Sequence, residues 1–413
     1  MMIRRLCCSI RLGAAVLAMV LASAAVAGAA QGDCSQPVTT GSNPTASDCL
    51  FILKVAVGTA TCDPQCICAP KGTLPTTATD ALVCLKKAVG QTVTLMCPCE
   101  GTTTTTPSSS TSTTLPGGGA TITIVNQDSA GEGFNDPSPR SPVGGNDGTT
   151  LGQQRLNVFE FAANIWAGLI TSGVEILVDA NFDPLTCNSN GAVLGAASSG
   201  NFARNFPNAP LPDTWYPIGL ANRFASQDLD PGVSDINATF NSAIGTTCPF
   251  PNVWYYGLDA SPPQGTIDLA TVVLHELGHG LGFATIVDLA SGQKALGIGG
   301  DDAYMVFLED HSTTKTYPTM SDGERVTASK DSGDLHWTGA AVVGASDRLS
   351  AGRHASGHVQ MYAPDPQEPG SSVSHFDKAT SPNELMEPSY TGPLHSIGLT
   401  RELFDDIGWD TIP

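Results

Sequence analysis

Between Gln153 and Ile170, apolar residues fall at 156, 158, 159, 161, 162, 165, 166, 169 and 170. That three-to-four spacing predicts a helix with a broad buried face. On either side the period shortens to two. Thr121–Val125 is a β-branched alternating strand, and Val174–Val178 is a second. Asp235–Phe240 sets Ile236, Ala238 and Phe240 against Asn237 and Thr239, the mark of a half-exposed strand. Leu269–Leu277 is apolar nearly all round and predicts a buried helix, with Thr266 as its cap and Asp268 in the first turn, where the helix dipole favours an anion. Gly398–Trp409 reads as a short terminal helix. Strand, helix, strand, strand, helix in this order predicts an α+β domain, a mixed twisted sheet backed by helices.

The N-terminal third follows other rules. Arg4, Arg5 and Arg11 precede an apolar, Ala-rich run over Leu12–Ala27 and the small residues 28–30. This is the order of a secretory signal peptide, expected to span 1–30. No later stretch offers about 18 uninterrupted apolar residues, so no stable membrane span is expected after cleavage. The expected location is secreted and extracellular, compatible with cell-surface association.

Residues 31–100 hold eight cysteines, at 34, 49, 62, 66, 68, 84, 97 and 99, and an internal duplication. Thr45-Ala-Ser-Asp48 and Leu53-Lys-Val-Ala-Val-Gly58 return as Thr77-Ala-Thr-Asp80 and Leu85-Lys-Lys-Ala-Val-Gly90. Each copy reads as one short helix. Two such helices bury too little surface alone, so disulfide staples are expected. The duplication resembles a degenerate dockerin-type module, a family in which acidic loops bind calcium. Neither loop here supplies the run of carboxylates calcium requires. A second role for this segment would be an inhibitory pro-region donating a thiolate, with Cys66 as the donor; an even cysteine count favours disulfides. Residues 101–119, GTTTTTPSSSTSTTLPGGG, have no charge or apolar face and read as a linker. A larger unit spans 120–413. Its only cysteines, Cys187 and Cys248, are expected to pair.

Charge narrows the partners. The 413-residue chain has a net charge of −20, and within 120–413 there are 34 acidic against 12 basic residues. A surface of that sign argues against nucleic acid as a partner.

The chemistry concentrates in His275-Glu276-Leu277-Gly278-His279, continuing through Gly280 and Gly282. Histidines four apart lie one turn above each other on a helix and can share one metal ion. Glu276 sits beside the first and can act on water rather than ligate. This is the H-E-x-x-H zinc peptidase pattern, and Gly282 is placed to end the helix. Zinc needs a third protein ligand. The compact metzincin pattern would put a histidine at 285, where this chain has Thr285. That leaves Asp288 and six histidines, at 311, 336, 354, 358, 375 and 395. His354 and His358 share helical spacing, but Gly352 and Gly357 oppose a helix there.

Ser372-Val-Ser-His375-Phe-Asp377 followed by Asn383-Glu-Leu-Met386-Glu-Pro388 resembles leishmanolysin-like metzincins, whose third zinc histidine is displaced downstream by an insertion and followed by a Met-turn. The resemblance implies a metzincin-like catalytic domain: a mixed sheet, an active-site helix and a loop-rich C-terminal part, interrupted by an insertion over Ala284–Val373. It implies Zn²⁺ held by His275, His279 and His375, Glu276 as general base and Met386 as the floor beneath the metal. Tyr390 stands in for the tyrosine some metzincins place near the oxyanion. Substrates would be proteins or peptides lying extended along an edge strand, for which Asp235–Phe240 is the candidate. A relic zinc site in a secreted binding or adhesion protein is the rival reading; the retained Glu276 weighs against it. Calcium has weaker candidates in Asp179–Asp183 and Gly300–Asp302, short acidic clusters of a kind commonly found in solvated turns.

Overall fold

The computed structural model describes residues 110–113 and 119–412 and, towards the N-terminus, Ser35, Pro44, 46–56, Cys62, 65–68, Thr76 and 78–88. The expected signal segment and most of the expected linker lie outside the described residues. The chain divides into two units, Met1–Thr106 and Pro107–Pro413.

In the first unit the two repeats form helices α1 (Ala46–Ala56) and α2 (Ala78–Ala88). Cys49–Cys84 joins them, and Cys62–Cys68 closes a short turn. Their buried core is small, with Ile52, Ile67 and Ala81 beside those cysteines. Restricting the unfolded chain by cross-links is the available substitute for apolar area. Cys34, Cys97, Cys99 and the Cys66 side chain lie outside the described residues.

The second unit is mixed α+β. Its largest sheet contains β1 (Ser110–Thr113), β2 (Ile122–Asn126), β3 (Ile176–Asp183), β4 (Gly195–Ser199) and β5 (Ile236–Asn241), in the order β1-β2-β3-β5-β4. β2, β3 and β5 are parallel, and the two outer strands run antiparallel to their neighbours. Two expectations change here. Ser110–Thr113, within the expected linker, pairs with β2, because strand pairing uses backbone groups and needs no apolar face. The strand expected to border a substrate, Asp235–Phe240, is interior: β3 flanks it on one side and β4 on the other. The edge is β4, Gly-Ala-Ala-Ser-Ser, whose small residues carry almost no strand signal.

Two helices pack on this sheet. α3 (Leu151–Leu169) starts in a Thr150–Gln153 capping box and buries Val158, Phe159, Ala162 and Trp166 completely. α4 (Leu269–Leu281) carries the paired histidines. Its cap is Asp268 rather than Thr266. Thr266–Asp268 is a short strand parallel to Val253–Tyr255, and the Asp268 carboxylate then accepts the Thr271 N–H at 2.9 Å. At the other end Gly282 adopts a φ of +126°, a conformation hostile to side chains. Cys187 and Cys248 are joined, as expected from their number.

Between α4 and Val373 lies a second, four-stranded antiparallel sheet, in the order Lys315–Thr316, Leu308–Asp310, Leu335–Trp337, Val359–Gln360. The chain then returns to α4 and ends in α5 (Thr400–Ile407). The returning segment grips α4 at both ends. Leu394 N–H donates to Thr271 Oγ1 at 2.7 Å, and His395 Nε2 lies 2.8 Å from Asp268 Oδ2. The Trp409 indole donates to Leu281 O at 3.0 Å, while Trp166 of α3 donates to Leu274 O at 3.0 Å. No described helix is long and apolar enough to cross a membrane.

Glu384 holds this wrap together by accepting the Leu399 N–H at 2.7 Å. Burial pushes its carboxyl up from 4.5 to about 7, the Leu399 bond acting against that. The folded state therefore prefers the neutral acid. Its contribution is complete below the unfolded value of 4.5 and is lost as pH rises through about 7. Glu384→Gln keeps the acceptor without the charge. Its melting temperature is expected to gain on wild type between pH 4.5 and 8, by the equivalent of about 3 kcal/mol at most. Parallel pH profiles for the two proteins would remove this role.

Candidate metal centre

Three histidines meet at the C-terminal half of α4. The Nε2 atoms of His275, His279 and His375 stand 3.1–3.2 Å apart in a near-equilateral triangle. His275 and His279 arrive by helical spacing, whereas His375 comes from the returning segment. Each ring is aimed by its other nitrogen: His275 Nδ1 lies 2.7 Å from Leu385 O, His279 Nδ1 2.8 Å from Phe283 O, and His375 Nδ1 2.7 Å from Ser371 O. A carbonyl can only accept, so each Nδ1 carries the proton and each Nε2 presents a lone pair.

Burial keeps the rings neutral. It lowers the pKa of His275, takes His279 down to about 3 with help from His275, and holds His375 well below the usual value. Three lone pairs facing one another at this distance repel unless a cation lies among them. The centre of the triangle is about 1.8 Å from each nitrogen, close to the zinc–imidazole bond of roughly 2.0–2.1 Å. The donor set therefore fits a metal ion, and the backbone acceptors supply the orientation such ligands need.

Glu276 is buried beside the first histidine. Burial pushes its carboxyl up to about 8, and a hydrogen bond from the Ala197 backbone on edge strand β4 opposes that. A divalent cation at the triangle would act in the same direction as that bond, favouring the carboxylate.

Met386 is fully buried under α4. A Cβ added to Gly278 would lie 2.8 Å from its sulfur and 3.4 Å from the Trp166 ring. Gly278 thus lets the methionine close against the helix one residue before His279. The remaining predicted residues are elsewhere. Tyr390 is not brought to the triangle. Its hydroxyl accepts the Asp268 N–H at 3.1 Å, seven residues before His275 and roughly 10 Å along the helix. Asp288 closes its own turn, accepting from Ala290 N and Ser291 Oγ. Among the suggested calcium carboxylates, Asp302 accepts the Ile286, Tyr304 and Met305 N–H groups, and Asp301 pairs with Lys294 at 2.6 Å. Asp179 accepts from Ser234 Oγ at 2.6 Å and Asp183 from Asn181 at 2.6 Å. The three carbonyls that orient the imidazoles escape sequence reading, because any residue supplies one.

Comparison with family models, with curated proteins and with solved structures returns no match for this chain.

Gly278→Ala is expected to destabilise the protein by about 1–3 kcal/mol through overpacking and to disturb the histidine triangle by tilting Met386 or His279. Combining it with Met386→Ala should recover part of that loss in denaturant titrations. Strict additivity of the two variants would mean that Gly278 and Met386 do not share the space as described.

Proposed function

We propose that this protein is a secreted zinc-dependent endopeptidase of the leishmanolysin-like metzincin type. The observation that carries the reading is the triangle of inward-facing imidazole lone pairs with a buried glutamate beside it. His275, His279 and His375 would hold Zn²⁺. Bound there, the ion supplies Lewis acidity, lowering the pKa of a water toward ~7 and polarising a peptide carbonyl.

The protein's own groups do the rest. Glu276, as carboxylate, accepts the proton of the attacking water and delivers it to the departing amine. Its bond to the Ala197 N–H fixes the carboxylate against β4. That strand has no further described strand on its outer side, so its backbone is open to an extended peptide adding as another strand. The edge strand adjoining the catalytic glutamate is thus β4, in place of Asp235–Phe240. Met386 supports the imidazoles by packing, not ligation. Tyr390 anchors the start of α4, so this reading gives it no oxyanion role. The three described disulfides suit an oxidising compartment, in keeping with the N-terminal signal pattern.

Zinc content and casein cleavage of wild type, Glu276→Gln and His375→Ala test this directly. Glu276→Gln should keep its zinc and lose about 10²–10⁴ in turnover. His375→Ala should lose zinc affinity and activity together. Undiminished cleavage by Glu276→Gln would end the peptidase reading, and unchanged zinc affinity in His375→Ala would move the third ligand.

A further inference from the structure

Four of the five histidines outside the triangle gather in a second place, on the four-stranded sheet inserted between α4 and His375. Register explains part of this. Glu309 stands opposite His336, which stands opposite Gln360 on the next strand. Residues paired across strands share a face, as do residues two apart along one. Glu309, His311, His336 and His358 therefore belong to one face.

The side chains converge accordingly. Glu309 Oε1 is 3.3 Å from His311 Nδ1 and 3.5 Å from His358 Nδ1. One donor atom from each of these three residues lies within 4.8 Å of the others. The His336 ring centre is 5.2 Å from that of His311 and 6.4 Å from that of His358. The His354 ring centre lies 4.0 Å from that of His311, tilted by 47°, but its Nδ1 already accepts the Ser356 N–H at 3.1 Å.

An ion-paired His–Glu–His cluster would account for Glu309, His311 and His358. It does not account for His336. That ring is 1% exposed and neither of its nitrogens has a hydrogen-bond partner. A buried imidazole with both polar atoms idle costs stability unless a ligand engages it.

We propose that Glu309, His311 and His358 form a second metal site, with buried His336 as the fourth donor. Three imidazoles with one carboxylate and no thiolate match a divalent transition metal of the zinc class and not calcium or magnesium. Ring centres here are 5.2–6.4 Å apart, against 4.7–5.1 Å in the first triangle. His311 and His358 retain 30% and 23% side-chain exposure, which leaves their rings room to turn toward His336. The ion would join the ends of strands 308–310 and 335–337 to the turn at 353–359, a structural clasp on the insertion. The proposal is independent of the peptidase reading, since it shares no ligand with the first triangle.

The probe is Zn²⁺ itself. Full-length protein is stripped with chelator, re-equilibrated with Zn²⁺, desalted and assayed for zinc per chain. Wild type is compared with His311→Ala/His358→Ala and with Glu309→Gln, which keeps the shape of the site and removes its charge. The double variant should hold one zinc fewer per chain than wild type, whatever the first site retains. Glu309→Gln should bind the affected ion at least tenfold more weakly. If the double variant fails to fold, as judged by circular dichroism, the Glu309→Gln comparison decides alone. Equal zinc content and equal affinity across these proteins overturn the proposal.

Discussion

Three imidazole nitrogens pointing at one another within 3.2 Å form an arrangement that neutral side chains do not adopt unaided. Something must force each lone pair inward, and here it is a carbonyl behind every ring. Those carbonyls come from three different stretches: the residue after the α4 turn, the Met-containing loop and the loop ahead of His375. The site therefore exists only when the long insertion has been traversed and the returning chain has docked. Much of the C-terminal architecture is best understood as the means of holding that docking fixed.

The docking has a consistent logic. α4 is buried on nearly every side, so most of its backbone is satisfied internally, and the returning segment attaches mainly at its ends. Tyr390, Leu394 and His395 meet the N-terminal turn, where unpaired N–H groups and the Asp268 cap offer partners. Trp409 reaches a carbonyl at the opposite end. Between these anchors Met386 fits where Gly278 leaves room. Tyr390, to which the family resemblance gave a chemical role, is thereby a tether.

What was legible from sequence follows from how local each determinant is. Helical periodicity over 153–170, the helix bearing His275 and His279, and the single Cys187–Cys248 pair depend on short-range patterns or on counting. His375 could be singled out only through resemblance, because nothing within its own neighbourhood distinguishes it from His336 or His354. The edge strand was missed because Gly195–Ser199 has neither bulk nor β-branching, while the better-looking Asp235–Phe240 is well-formed precisely through being enclosed on both sides. The cap shifted from Thr266 to Asp268 since a short parallel strand claims the threonine, a pairing with Val253–Tyr255 that local propensity cannot foresee. The second histidine cluster depends on cross-strand register, also a non-local quantity.

The chain's acidity takes on a different meaning once the carboxylates are placed. A charge this negative suggests a strongly solvated surface. Yet several of the acids are turned inward to accept backbone N–H groups left unpaired by strands, helix starts and loops. Asp128 accepts from Phe134 and Phe182, Asp235 from Leu177, Asp302 from Ile286, Tyr304 and Met305, Asp406 from Ala341 and Val342, and Glu384 from Leu399. Burial raises the pKa of all five above the usual carboxylate value. In a unit with long loops and few regular elements, a carboxylate is an efficient partner, since one group can satisfy two or more donors at once. Part of the formal charge is thus structural, spent on backbone satisfaction, and only the remainder is available to shape a field outside the molecule. Inference from net charge to the field outside the molecule is correspondingly weaker than the composition suggests.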